Sequence, residues 1–147
     1  MKKNILLTGA TGYIGSNLLN KLLKETDFNI IAVYNNTLPK NIDNAVTWIK
    51  YTGDYSSLKD IDKNIDIIIH LATFFTSVHS PETVSKIINA NVLLGAHLLE
   101  FARQNKINKF INTSTYAQSI DNSIYNPQNF YTSTKQAFEA ILKYYTE

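Results

Sequence analysis

The chain is 147 residues long, with a hydrophobic content of 44%, a charged content of 18% and a formal net charge of +2 at pH 7. That length suits one domain with a buried core, and the composition is that of a soluble globular protein. The absence of Cys excludes disulfide scaffolds and thiolate metal sites, and no Lys/Arg cluster beyond Lys2–Lys3 marks a nucleic-acid surface.

In chain order, MKKNILLTGATG opens with two basic residues and an apolar run too short for a signal peptide. No run approaches the ~20 apolar residues of a membrane span, so no membrane partner is expected and the cytoplasm is the expected compartment. NILLTG (4–9) predicts a first strand. Ile14, Leu18 and Leu22 recur at helix spacing and predict a helix after it. NIIAVYN (29–35) predicts a second strand, VTWIKYT (46–52) a weaker third, and DIIIHLA (66–72) a fourth that is almost wholly apolar. A long helix is predicted from Pro81 to Gln104, with Val84, Ile87, Ile88, Val92, Leu94, Leu98, Leu99 and Ala102 toward one side and Pro81 in its first turn. KFINTS (109–114) predicts a fifth strand, SIDNSIYNPQNF (119–130) a polar loop, and Tyr131 to Tyr145 a last helix with Ala137, Phe138, Ile141, Leu142 and Tyr145 as its apolar side. Apolar strands alternating with helices predict βαβ units on a parallel sheet, the α/β class.

Between the first strand and first helix, LLTGATGYIGSNLL places Gly9, Gly12 and Gly15. A turn without side chains lets backbone approach a pyrophosphate, and the helix start presents free N–H groups and a positive dipole end to it. Gly9, Thr11, Gly12, Tyr13, Ile14 and Gly15 are therefore expected at a dinucleotide; simple packing is the plain alternative for Tyr13 and Ile14. The spacing is G-x-x-G-x-x-G, and no Gly-Lys-Ser/Thr follows, which argues against a nucleoside-triphosphatase loop. The end of the second strand, Tyr34–Asn35–Asn36, carries neither the acid that favours NAD nor the base that favours NADP, so Asn35 is expected to face the ribose with either cofactor.

Two stretches, YSSLK (55–59) and YTSTK (131–135), place a phenol and an ammonium four residues apart, which on a helix is one face. With nine Tyr and thirteen Lys (fourteen basic residues less Arg103) in the chain, chance alone supplies roughly 0.8 such pairs. Context must choose between them.

The stretches TGATGYIGSNL, GDY, IIHLAT, NANVLLGAHLLEFA, FINTST and YTSTK resemble, in order and spacing, the extended short-chain dehydrogenase/reductases, the NAD-dependent epimerase/dehydratase family. The wording is most similar to the CDP-abequose synthase type of nucleotide-sugar ketoreductase. The resemblance covers essentially the whole chain. It implies a Rossmann-like doubly wound parallel sheet, NAD or NADP as cofactor, a nucleotide-sugar substrate, a role in polysaccharide biosynthesis, and hydride transfer at a sugar carbinol or keto carbon. It also implies that residues 1–147 are the NAD(P)-binding half of a longer enzyme, truncated before the substrate-binding part and inactive alone.

Carried onto this sequence, the resemblance gives Gly9, Gly12 and Gly15 to the pyrophosphate and Asp54 and Tyr55 to the adenine edge, with a turn role the alternative for Asp54. It places Leu71, Ala72 and Thr73 along the cofactor. Tyr131 and Lys135 match the catalytic pair and also meet the cofactor. Thr115 matches the catalytic hydroxyl, with Ser114 as rival. Asn91 matches the family's helix Asn and is placed with the catalytic group, with backbone bonding the alternative.

A lysine ammonium beside a phenol, whose reference pKa is near 10, favours the phenolate that serves as base. A threonine hydroxyl can donate to a developing alkoxide. The chain departs from the family in Thr115–Tyr116–Ala117–Gln118 and in Phe130 before the catalytic Tyr. No acid follows Thr115, which disfavours a dehydratase. A non-catalytic NAD(P) sensor of the same fold is the rival reading. His70, His79 and His97 lack ligand spacing, so no metal is expected and His70 reads as a satisfied strand-end residue. By fold analogy, a homodimer would use helices over roughly 83–104 and 131–145.

Overall fold

A computed structural model describes residues 2–25, 27–36, 38–39, 43–118, 123 and 125–146. Of the loop expected over 119–130, residues 119–122 and 124 lie outside the described residues. The chain divides into two compact units, 1–72 with 100–112, and 73–99 with 113–147.

The first unit holds strands β1 (Lys3–Thr8), β2 (Phe28–Tyr34), β3 (Val46–Lys50), β4 (Ile67–His70) and β5 (Phe110–Asn112), and helix α1 (Tyr13–Lys24). The strands form one parallel sheet in the order β3-β2-β1-β4-β5. This is the expected α/β class, and the order is that of the doubly wound dinucleotide fold, with its switch point between β1 and β4. β1 and β2 lie inside the sheet, and four consecutive residues of each are buried, Ile5–Thr8 and Ile30–Val33. That is why they read as unbroken apolar runs: a strand covered on both faces has no polar side to alternate. Ile5, Leu7, Ala10, Leu19, Ile30, Ala32, Val46 and Ile69 form the core, each large side chain contributing about 1.5–3 kcal/mol on burial.

Every expected strand exists, with no end shifted by more than two residues; β5 keeps only three of the six residues expected. The register of α1 differs from expectation. Its inward stripe is Gly15, Leu18, Leu19, Leu22 and Leu23, an i, i+3, i+4, i+7, i+8 pattern, whereas Ile14 is 65% exposed. The small glycine takes the tight first position and the isoleucine turns outward.

The second unit begins with α2 (Pro81–Ile88), which Ser80 and Thr83 start with a reciprocal capping box and Pro81 at its head. A π turn over Asn89–Leu93 follows, and then α3 (Leu94–Gln104), whose last residues belong to the first unit. The single long helix expected here is therefore interrupted. Ile87, Asn91, Leu94, Leu98 and Leu99 are buried, whereas Ile88, expected on the same side, is exposed. α4 (Phe130–Thr146) starts on another box: Asn129 Oδ1 accepts from Thr132 N at 2.9 Å, and Thr132 Oγ1 accepts from Asn129 N at 3.1 Å. Phe138, fully buried, anchors α4, and its ring fills the space a side chain at Gly95 would need. Ala137, expected on the apolar side, is exposed. Among the described residues no helix is long and apolar enough to cross a membrane.

Candidate active site

In the first unit the chain leaves β1 at Thr8 and turns at Gly9, whose φ of +73° is the left-handed region that favours glycine. A Cβ on Gly9 would stand 2.6 Å from the backbone nitrogen of Ala72, so the β1 and β4 ends meet here backbone to backbone. Thr8 reinforces the contact: its Oγ1 accepts from Ala72 N at 3.2 Å and bonds His70 Nδ1 at 2.8 Å. His70 is 1% exposed and satisfied at a strand end, as its sequence context predicts. A Cβ on Gly15 would drive into the Gly9 carbonyl, so the third glycine packs α1 against the loop.

Gly12 differs from both. It is exposed, with an unstrained φ of −81°, and it caps α1 without any side-chain hydrogen bond. The first-turn N–H groups of α1 are thus left without a side-chain acceptor at the positive end of the helix dipole. Tyr13 and Ile14 are 89% and 65% exposed, so the packing alternative for them does not hold. Thr11 is exposed beside them. A bare backbone turn with uncapped N–H groups fits a pyrophosphate.

Elsewhere in this unit Asn35 is exposed just beyond β2. Asp54 caps a 3-10 turn, Tyr55–Leu58, its Oδ1 accepting from Ser56 N at 2.7 Å, so the turn role considered for it is present. Its charge adds to burial, the larger cause, in raising the Tyr51 phenol above its ordinary value. Tyr55 donates to Gln104 Oε1 at 2.9 Å. Burial and then the Glu100 carboxylate raise its phenol, against the Arg103 guanidinium. At about three residues per turn, Tyr55 and Lys59 point about a third of a turn apart, which separates YSSLK from a one-face pair. Leu71 and Ala72 are half-buried at the end of β4.

In the second unit Tyr131 and Lys135 lie one turn apart on α4. Lys135 is 3% exposed, and burial lowers its amine below the ordinary lysine value while the Glu139 carboxylate raises it. Tyr131 is half-buried, with the ring of Phe75 edge-on to its own at 5.0 Å. Phe130, the residue departing from the family pattern, lies over His79 at 4.7 Å.

Asn91, in the π turn, is 1% exposed and uses its whole amide. Its Oδ1 accepts from Thr73 Oγ1 at 3.0 Å and Phe74 N at 2.7 Å. Its Nδ2 donates to Phe74 O at 3.1 Å and Thr134 Oγ1 at 3.0 Å. Asn91 therefore ties the segment after β4, including exposed Thr73, to the helix turn between Tyr131 and Lys135. Thr115 is half-buried; its Oγ1 accepts from Ala117 N at 3.4 Å at the start of a 3-10 turn, Tyr116–Gln118. Its rival, Ser114, donates instead to Glu139 Oε1 at 2.5 Å, and Gln118 Nε2 donates to Glu139 Oε2 at 2.6 Å. Sequence reasoning missed Glu139, although its place one turn beyond Lys135 was a signal.

A family model described as "NAD dependent epimerase/dehydratase family" matches residues 5–147. CDP-abequose synthase of Salmonella muenchen is 32% identical over 148 residues, covering 100% of this chain and 49% of the relative. dTDP-D-glucose 4,6-dehydratase of Dictyostelium discoideum is 31% identical, covering 97% of this chain and 40% of that protein. A crystal structure of a UDP-glucose 4-epimerase superposes with a TM-score of 0.83 at 29% identity, over 98% of this chain and 47% of that one. The chain spans about half the length of the curated relatives it matches.

Proposed function

The chain belongs to the NAD dependent epimerase/dehydratase family, and from that premise we propose that it is the NAD(P)-binding part of a nucleotide-sugar oxidoreductase or epimerase. The observation that carries the reading is the burial of Lys135 one turn beyond Tyr131, on a helix tied by Thr134 to Asn91. Burying an ammonium is costly and serves no purpose on an ordinary amphipathic helix.

Each residue then has a task. The backbone around Gly9, Thr11, Gly12, Tyr13, Ile14 and Gly15 holds the pyrophosphate, and Asn35, Asp54 and Tyr55 serve the adenosine side. Leu71, Ala72 and Thr73 line the cofactor. The bound dinucleotide, NAD or NADP, supplies a hydride acceptor or donor. Tyr131 moves the proton at the sugar oxygen, and the Lys135 ammonium favours its phenolate. The Thr115 hydroxyl donates to the oxygen as charge develops on it. Asn91, with its amide fully engaged, positions α4 and the Thr73–Phe74 segment. Tyr116, Ala117 and Gln118 put no acid directly after Thr115, which supports epimerase or ketoreductase chemistry over dehydration.

The rival reading, a non-catalytic dinucleotide sensor, leaves the buried Lys135 beside Tyr131 without a purpose. Calorimetric titration of the chain with NAD, NADH, NADP and NADPH tests the cofactor part: one pair binds, and no binding by any of the four overturns it. Tyr131→Phe in a protein that also carries the substrate-binding part tests the chemistry. Turnover falls by about 10²–10⁴-fold with dinucleotide affinity unchanged; undiminished turnover removes Tyr131 from the mechanism.

A further inference from the structure

The mechanism above leaves one half-buried carboxylate unused. Glu139 stands one turn beyond Lys135 on α4 and accepts two short hydrogen bonds, from Ser114 Oγ at 2.5 Å and Gln118 Nε2 at 2.6 Å. Those two donors bracket Thr115 on both sides. We infer that Glu139 is a positioning residue: it pins the Thr115 segment to the helix that carries Tyr131 and Lys135, and it sets a negative charge one turn from the buried Lys135.

The two duties come from the two properties of a carboxylate. As an acceptor with two oxygens, it takes one donor from each flank of Thr115, which sets where that hydroxyl sits along α4. As an anion, it opposes the effect of burial on Lys135. A neutral amine at that place would neither favour the Tyr131 phenolate nor carry charge. Among the described residues packed on α4, the π turn carries no ionisable side chain, and the 116–118 turn carries only Tyr116, which is exposed. α2 offers Glu82 and Lys86, both exposed, and His79 lies on Phe130 at the other end. On α4 itself the groups are Tyr131, Lys143, Tyr144 and Tyr145, and the charge that acts on Lys135 is that of Glu139.

Glu139→Gln separates the duties. The new amide oxygen still accepts from Ser114. Gln118 Oε1, buried without a partner among the described residues, accepts from the new NH₂ once its own amide turns over. The variant therefore folds and keeps the pin while losing the charge. Glu139→Ala loses both.

The inference depends on the proposed catalytic pair only for its bearing on turnover; its test reads the protein alone. The chain is labelled with ¹³Cε-lysine, the Lys135 resonance is assigned by its loss in Lys135→Arg, and its titration is followed by NMR. Glu139→Gln moves the Lys135 midpoint to lower pH and leaves amide exchange of residues 115–118 as in the wild type. Glu139→Ala moves the midpoint likewise and speeds that exchange by at least tenfold. An unmoved midpoint in Glu139→Gln, or unchanged exchange in Glu139→Ala, overturns the inference. Failure of the catalytic reading shows separately, as undiminished turnover of Tyr131→Phe.

Discussion

Replacing Asn91 by alanine tests the second unit at its most connected polar side chain. The substitution removes four hydrogen bonds at a position 1% exposed. Not all are lost equally. Thr73 is exposed, so its hydroxyl turns to water. Thr134 Oγ1 keeps its bond to the Tyr131 carbonyl at 2.7 Å. The loss therefore falls on the part-buried N–H and C=O of Phe74, at about 1–3 kcal/mol for a backbone group left unpaired, together with the small void of the missing amide. The expected sum is about 3 kcal/mol, which at about 2–4 °C per kcal/mol for a chain of this size lowers Tm by roughly 6–12 °C. Urea denaturation followed by circular dichroism reads it directly, and a loss under about 1 kcal/mol would refute the assignment of Asn91 as the tie. Asn91→Asp sharpens the test. One carboxyl oxygen keeps the Thr73 and Phe74 N–H bonds, but the other meets the Phe74 carbonyl and is accepted there only when protonated. The folded-state pKa of the new Asp is therefore raised. Its stability contribution is complete below the unfolded value of about 3.9 and is lost as pH rises through the folded value. The variant should lie closer to wild type at pH 4.5 than at pH 8, and a constant gap refutes the geometry.

Three further outcomes are expected of the same structure. Gly12→Ala, at an exposed and unstrained position, should cost about 1 kcal/mol or less in stability yet weaken dinucleotide binding at least tenfold by calorimetry, whereas Gly15→Ala should fail first in thermal melting because its Cβ meets the Gly9 carbonyl. Lys106 sits at φ +57° just past α3, in a Schellman cap closed by Ile107 N to Ala102 O at 2.9 Å, so Lys106→Gly should stabilise by about 0.5–1 kcal/mol in denaturant midpoint. Burial lowers the Lys135 amine in the folded state, so the unfolded chain binds more protons in the interval below about 10.4 and wild-type stability rises with pH there; Lys135→Met should remove that rise, and parallel stability–pH curves would contradict it.

The strands were legible because a sheet covered on both faces demands unbroken apolar runs, and Ile5–Leu7 and Ile30–Val33 have no other use. The glycine loop was legible because close backbone approach permits only glycine at Gly9 and Gly15. Helix faces were less so. Ile14 and Ile88 are apolar neighbours of true inward positions, and hydrophobicity alone does not say whether Ile14 or Gly15, Ile87 or Ile88, turns in. The π turn has no composition signal: Asn91 reads as an ordinary helix residue until its four partners are seen. Glu139 was passed over for a related reason. Its donors, Ser114 and Gln118, come from a segment far away in sequence, and spacing arguments along one helix do not register them. Of the two look-alike stretches, only YTSTK lies on an α-helix, and YSSLK opens a 3-10 turn.

The π turn in the 81–104 helix has one more consequence. An α-helix advances about 100° per residue, so an additional residue in a regular helix would rotate everything after it by that angle relative to everything before. Deleting one residue between 89 and 93 would restore a regular helix and leave the segments on either side facing as they do now, because the π turn already absorbs that residue. Loss of a residue here is thus a different kind of lesion from a substitution. A deletion that spares Asn91 removes the bulge, whereas Asn91→Ala removes the tie.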